Sequence, residues 1–390
     1  MWRSLHDAWW RLATQSHPRS FWDALASSVL SSGSVAYRTV VALRNLAYDT
    51  GWAPDVRLPC RVVSVGNLTV GGTGKTACVE LIAKKLMAHG RRVAVLSRGY
   101  GGSPPHQRFW WGGERRPYWL RFDDGQLVVN GSVPVDEDGL ADEPQLLARR
   151  LAGVPILVGA RRDRTGRVAC AQFSADTVVL DDGFQHRRVQ RDCDIVLVHA
   201  RMPFGGWALL PRGPMREPLT SLKRADVVIM TKADEALETL GALGERLRML
   251  NPPAAFVGAV HEPASLMDGV TGTLHEPKRL NGLRVGLLSS IGDPEGFEAT
   301  VRRLHATILW HRAFPDHYRY RATDWAAILQ QIKECEPDAV VTTEKDWVRL
   351  RPWALDPGLR TTPLWILTVR MHILSGEEAL DDRLASLYAR

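Results

Sequence analysis

Short apolar runs rich in β-branched residues recur through the middle of the chain, each ending in glycine or in charged residues. The first, 61–65 (RVVSV), reads as a buried strand, and further runs follow at 92–96, 156–158, 177–180, 195–199 and 227–230. Between them, 77–86 and 145–151 carry apolar positions at helical spacing. Strands alternating with helices predict an α/β fold whose mostly parallel sheet is covered by helices on both faces. After a proline-rich stretch at 252–282 the pattern restarts, with strands at 284–288 and 339–342 and a helix at 297–304. This predicts a second, smaller α/β unit. The alternating run 364–369 is expected to pair back with 255–260, making a two-strand hinge. The expected divisions are 1–50, 51–262, 263–370 and a C-terminal tail at 371–390.

Residues 1–50 have their own pattern. Trp2, Leu5, Trp9, Leu12, Trp22, Leu25, Val29, Leu30, Val40 and Val41 recur at helical spacing, with Arg3, Arg11, Arg19, Arg38 and Arg44 interspersed. Two readings stand: a helix lying in a membrane interface, and a helix packed on the body of the protein with tryptophans in its core. The pattern weakens around Ser27, Ser28, Ser31, Ser32 and Gly33. Residues 103–138, with Trp110, Trp111 and Trp119, read as a surface hairpin near the site.

At 390 residues and 45% hydrophobic, the chain is long enough for two to three domains with full cores. An excess of 50 Lys and Arg over 43 Asp and Glu gives +7, which favours anionic partners without choosing among them. Five scattered cysteines with no C-x-x-C pair argue for reduced thiols and against a zinc site. No apolar run reaches the length of a membrane span, and the N-terminus lacks the order of a signal peptide.

Chemistry concentrates where strands end. After 61–65 comes a glycine turn, Gly71-Gly72-Thr73-Gly74, then Lys75, Thr76 and a helix. Strand, glycine loop, Lys-Thr and helix make a phosphate cradle. Glycines let backbone N–H groups face phosphate oxygens, Lys75 should reach the β/γ-phosphates, and Thr76 should ligate Mg²⁺. The strict pattern asks for glycine at position 69, where Thr69 stands. The strand at 177–180 delivers Asp181 and Asp182 to its carboxyl end, as a second half of a nucleotide site does. Arg98 follows the strand at 92–96. Ahead of a helix, Asp142-Glu143-Pro144 suits a helix cap as well as it suits a site. Thr231-Lys232-Ala233-Asp234 sits where related NTPases place a base-recognition loop.

Together, GNLTVGGTGKT (66–76), SRGYGG (97–102), DEP (142–144), DDGFQH (181–186), LLPRGPMREP (209–218), FPDH (314–317) and TEKD (343–346) resemble the tetraacyldisaccharide 4′-kinase family over about residues 30–370. The resemblance implies a P-loop NTPase-like fold. It implies transfer of a γ-phosphate from ATP, with Mg²⁺, to the 4′-hydroxyl of a lipid A disaccharide 1-phosphate, at the cytoplasmic face of the bacterial inner membrane. Carried over residue by residue, Asp142 becomes the base, paired with His317 from the smaller unit. Thr76, Asp181, Asp182 and Glu217 manage the metal, and Lys75, Arg98 and Arg216 neutralise the moving phosphoryl group. Arg161, with Arg162 and Arg164, meets the substrate's 1-phosphate or merely solvates a loop. Gln185 and His186 orient the carboxylates or the sugar. Ala77 and Ala141 replace the family's usual Pro and Gly. Two rivals remain: a P-loop switch, which usually has Lys where Val70 stands, and a nucleic-acid binder, against which the dispersed arginines count.

Overall fold

A computed structural model of the chain describes residues 9, 13, 20–99, 117–132, 140–235, 237–353, 356, 359 and 362–389. Trp2, Leu5 and Leu12, Gly101-Gly102 of the SRGYGG run, and Trp110 and Trp111 lie outside the described residues.

The elements follow in chain order. A long helix α1 (Phe21–Asp49) leads to β1 (Arg61–Asn67), α2 (Lys75–Ala88), β2 (Val93–Ser97), β3 (Tyr118–Asp123) and β4 (Gln126–Val129). Next come α3 (Asp142–Arg150), β5 (Ile156–Val158), α4 (Arg162–Phe173), β6 (Thr177–Asp181), β7 (Cys193–His199), β8 (Val227–Thr231) and α5 (Leu237–Leu250). The chain then crosses on β9 (Ala255–Asp268) and continues through β10 (Leu274–His275), β11 (Arg284–Ser289), α6 (Pro294–Arg303), β12 (Thr307–Ala313), α7 (Ala322–Cys335), β13 (Ala339–Thr343) and α8 (Glu344–Leu350). It returns on β14 (Leu364–Ser375) and ends in α9 (Glu377–Ser386).

Among the described residues the strands form one sheet, ordered β12-β11-β13-β14-β9-β8-β7-β1-β6-β2-β5-β3-β4, with β10 against β9. β1 lies between β6 and β7, parallel to both. Alternation along β1 explains its double burial. Val63 and Val65 pack with Val79, Ile82 and Leu86 of α2, whereas Val62 packs with Leu58, Val178 and Leu180 on the other face. The smaller half has its own cores on its two faces, one around Val285, Leu287 and Phe297, the other around Trp310, Trp325 and Ile328.

Three expectations need correction. The two halves share one sheet, and the boundary placed at 262/263 falls inside β9. The hinge pairing exists, but its register differs: Leu367 meets Leu266 and Trp365 meets Asp268, while His261 and Gly258 face Met371 and Ser375. Pro263 has no N–H to give the ladder, and it sits opposite Val369 where the register shifts. Residues 371–390 are not a tail. Met371 and Ile373 continue β14, and Leu380, Leu384 and Leu387 are buried in the core of the larger half beneath β1 and β7. In the 103–138 stretch, β3 and β4 form the expected hairpin, which extends the sheet edge antiparallel to β5. Trp119 packs edge-on against Phe173 there.

Candidate active site

A cleft of about 480 Å³ opens between the halves, along the carboxyl ends of the parallel strands, where open α/β sheets place ligands. Its floor is the glycine loop. Gly71 and Gly74 have φ of 109° and 83°, a left-handed backbone that costs glycine nothing. A Cβ at Gly74 would also strike the ring of His261, at 2.5 Å. Thr69 lies outside that turn: it is buried and forms an isolated bridge with Met215. Position 69 therefore serves as an edge that the 209–218 loop pairs with, so it does not need glycine. Val70 N–H to Pro214 O (2.8 Å) and Arg216 N–H to Leu68 O (2.7 Å) complete this lacing.

Lys75 and Thr76 start α2 and line the cleft. The Lys75 ammonium lies 3.9 Å from Asp182 and 3.5 Å from Asn67 Oδ1. Burial pushes its pKa down, against the pull of Asp182. Asn67, fully buried, donates to the Thr73 hydroxyl (2.8 Å), so the end of β1 braces the loop that follows it.

At the end of β6, Asp181 accepts from Ser97 (3.0 Å), and Asp182 takes a forked pair from Arg216 (2.8 and 2.9 Å). Burial, Glu143 and Asp182 push the Asp181 carboxyl up to about 7. Burial would also raise Asp182, but Arg216 and Lys75 outweigh it and hold the carboxyl at about 2. Two carboxylates this close, one pushed up by the other, form a site that a divalent cation would relieve. Thr76, Asp181 and Asp182 all line the cleft.

The opposite wall comes from α3, α8 and the 314–317 loop. His317 Nδ1 lies 3.3 Å from Asp142 Oδ2, bringing together residues 175 positions apart. His317 lines the cleft, and Asp142 meets it through that contact. The bond to Asp142 raises the His317 pKa, over the opposing effect of burial. Burial also works to raise the Asp142 carboxyl, but His317 and Arg349 hold it below the usual range. Asp182 (φ 52°), Lys232 (φ 56°) and His317 (φ 60°) all line the cleft in a left-handed backbone unusual for their types, as residues held at functional sites often are.

Other expected site residues lie elsewhere. Glu217 does not line the cleft. It is buried, and its Oε2 accepts from Arg224 (2.8 Å), which neutralises its charge, and from Asn45 (3.0 Å), which ties it to α1. Arg161 is paired through two nitrogens with Asp163 (2.9 and 2.8 Å). Gln185 donates to the Asn67 carbonyl (2.9 Å), bracing the loop from behind. His186 lies beside Arg162 (3.5 Å), and burial and Arg162 push its ring to about 4, so it is neutral. Arg98 does line the cleft, and so does Arg162.

Sequence reasoning gave no role to Glu143, Lys345, Arg150 and Glu344. Glu143 pairs with Lys345 at 2.5 Å, and Arg150 bonds Glu344 while meeting Glu80 at 2.8 Å. These pairs join α3 of the larger half to α8 of the smaller one. Across the cleft, Lys232 pairs with Asp293, and Asp234 with Arg303. The available signal was the position of TEKD and of Gly292-Asp293 just beyond strand ends, the edge where α/β sheets bind ligands.

The family model described as tetraacyldisaccharide-1-P 4'-kinase matches residues 26–389. The tetraacyldisaccharide 4'-kinase of Anaeromyxobacter dehalogenans (strain 2CP-C) is 40% identical over 388 residues, covering 98% of this chain and 94% of that protein. That of Syntrophus aciditrophicus is 41% identical over 326 residues, covering 82% and 83%. The crystal structure of the "apo" form of LpxK from Aquifex aeolicus in complex with ATP superposes with a TM-score of 0.68 at 26% identity, over 93% of this chain and 100% of that one. With a family model spanning nearly the whole chain and relatives at this identity, the chain belongs to the tetraacyldisaccharide-1-P 4'-kinase family.

Proposed function

We propose that the cleft is where this enzyme transfers the γ-phosphate of ATP to the 4′-hydroxyl of a tetraacyldisaccharide 1-phosphate, with Asp142 and His317 taking the hydroxyl proton. One observation supports the assignment: the phosphate cradle and His317, which is bonded to Asp142, line the same cleft. The glycine-loop N–H groups and Lys75 hold the phosphates, and Arg216 and Arg98 add positive charge near the group in transit. Thr76, Asp181 and Asp182 would hold Mg²⁺, which neutralises charge building on the phosphate oxygens. A sugar hydroxyl has a high pKa, so its attack gains from a base within reach. His317, neutral above its raised pKa and oriented by Asp142, supplies one. The test is transfer of labelled γ-phosphate from ATP to a tetraacyldisaccharide 1-phosphate in detergent. No labelled lipid from folded protein would overturn the reading.

A peripheral site of action on the cytoplasmic face of the inner membrane fits α1. The face bearing Ser34, Tyr37 and Asn45 bonds the body through Leu209 O, Arg216 O and Glu217. The other face carries Trp22 (73% exposed), Leu25, Val29, Val40 (63%) and Leu43 (62%). At 100° per residue these five fall within about one sixth of the helix circumference, the stripe of an interfacial helix. Among the described residues no helix is long and apolar enough to cross a membrane. Replacing Val29, Val40 and Leu43 by Gln should lower co-sedimentation with anionic vesicles by about tenfold or more, since each buried side chain contributes roughly 1.5 kcal/mol or more. Unchanged co-sedimentation would count against a membrane role for this face.

A further inference from the structure

Arg349 is a buried cation to which none of the roles above applies. Its side chain is 7% exposed, and it reaches three elements at once. Nε donates to Asp142 Oδ2 (2.9 Å), and Nη2 makes an ion pair with the same oxygen (2.8 Å). Nη2 also lies 3.4 Å from His317 Nδ1. Nη1 donates to the Ser290 hydroxyl (2.6 Å) and to the Tyr318 carbonyl (3.3 Å).

We propose that Arg349 is a positioning residue for phosphoryl transfer, fixing Asp142 and His317 in the relative orientation in which the pair accepts the hydroxyl proton; this rests on the role given to that pair above. The guanidinium is a rigid fork with donors on both edges. One edge is spent on Asp142 and the other on the smaller half, so the carboxylate cannot rotate without losing the hydrogen bond from Nε and the ion pair with Nη2. The bonds to Asp142 all fall on Oδ2, and among the described residues none reaches Oδ1.

The fork is itself supported from below. Asp346, fully buried, accepts from Ser290 N–H (2.9 Å), the Ser290 hydroxyl, Tyr320 (3.1 Å) and Thr343 Oγ1 (2.7 Å). Ser290 is thereby held where it receives Arg349. A role confined to joining the halves would not require this arrangement. Glu143–Lys345 and Arg150–Glu344 already join α3 to α8, and neither pair hydrogen-bonds the histidine ring. What distinguishes Arg349 is that it meets both members of the pair.

The charge of Arg349 also sets how the pair holds protons. The other ionisable groups facing Arg349 and the pair are Asp346, 3.8 Å from Arg349 Nη1 and bonded by Tyr320, Lys345 from α8, Asp316 beside His317 and Glu143 beside Asp142. Removing a positive charge from this cluster makes protonation easier at both Asp142 and His317.

The test compares wild type, Arg349→Met and Arg349→Lys across pH, with Asp142→Asn as a second background. Arg349→Met should lower kcat about 10²-fold with KM for ATP changed no more than about twofold. Its acid limb in kcat should move to higher pH by about one unit, because the pair now loses its proton later. Arg349→Lys keeps the charge but not the fork, so the limb should stay in place while kcat falls about tenfold. In the Asp142→Asn background, Arg349→Met should cost less than about twofold more. A loss with an unmoved limb that multiplies fully with Asp142→Asn would overturn the proposal. So would wild-type turnover in Arg349→Lys, which decides the matter if Arg349→Met fails to give a cooperative thermal transition. Failure of the underlying reading looks different: Asp142→Asn and His317→Ala would both turn over at the wild-type rate.

Discussion

Asp142→Ala and His317→Ala should each lower kcat by roughly 10²- to 10⁴-fold, the range of a positioned general base. That corresponds to about 3 to 5 kcal/mol of barrier. The double variant should lose little more than the worse single, because a base and its orienting partner act as one unit. Independent action would instead multiply the losses to roughly 10⁴-fold or more. Steady-state kinetics with both substrates saturating separates these outcomes, and strictly multiplicative losses would refute the pair. The pH dependence has a definite sign. His317 holds its proton above its ordinary pKa because of Asp142. Turnover should therefore rise as pH climbs through that raised value and the ring becomes able to accept a proton. The same shift acts on stability in the opposite sense. A histidine whose folded pKa is raised contributes stability below its unfolded pKa, and this is lost as pH rises through the folded one. Contact between α3 and the 314–317 loop should thus be strongest on the acid side, where turnover is lowest.

Lys75→Ala should reduce transfer by roughly 10²- to 10³-fold or more while leaving the fold intact, since it removes a preorganised charge aimed at the moving phosphoryl group. The structure explains the separation. In the cleft the ammonium makes one long hydrogen bond (3.5 Å) and one weak ion pair (3.9 Å). Asp182 keeps its forked pair from Arg216 when the lysine is gone. Thermal unfolding should therefore show a small change beside a near-complete loss of labelled product. Wild-type turnover in Lys75→Ala would remove the phosphate cradle from the mechanism.

Much of the larger half was legible in the sequence because its signals are local. A five-residue β-branched run followed by a glycine turn and Lys-Thr is a strand, a loop and a helix start, and each part occurs where expected. The pairing of Asp142 with His317 came from resemblance to a family, since no spacing rule links residues so far apart. What stayed hidden was long-range. A leucine triplet at 380, 384 and 387 announces an apolar helix face but not which core it fills. The register of β14 depended on a bulge at Pro263 that alternation alone does not locate. Glu217 followed an arginine in a motif-like loop, and only the folded chain shows that Arg224 and Asn45 had already claimed it. Arg349 was invisible for the same reason: one arginine among many, distinguished only by what surrounds it.

The chain leaves the larger half on β9, comes back on β14, and then buries α9 in the core it had left. The smaller half is therefore an insertion, held at both ends by adjacent antiparallel strands. A module on a single linker can swivel about any axis. One suspended from two neighbouring strands is restrained at both of its ends. Any shift of the smaller half would therefore carry His317 and Arg349 together relative to Asp142.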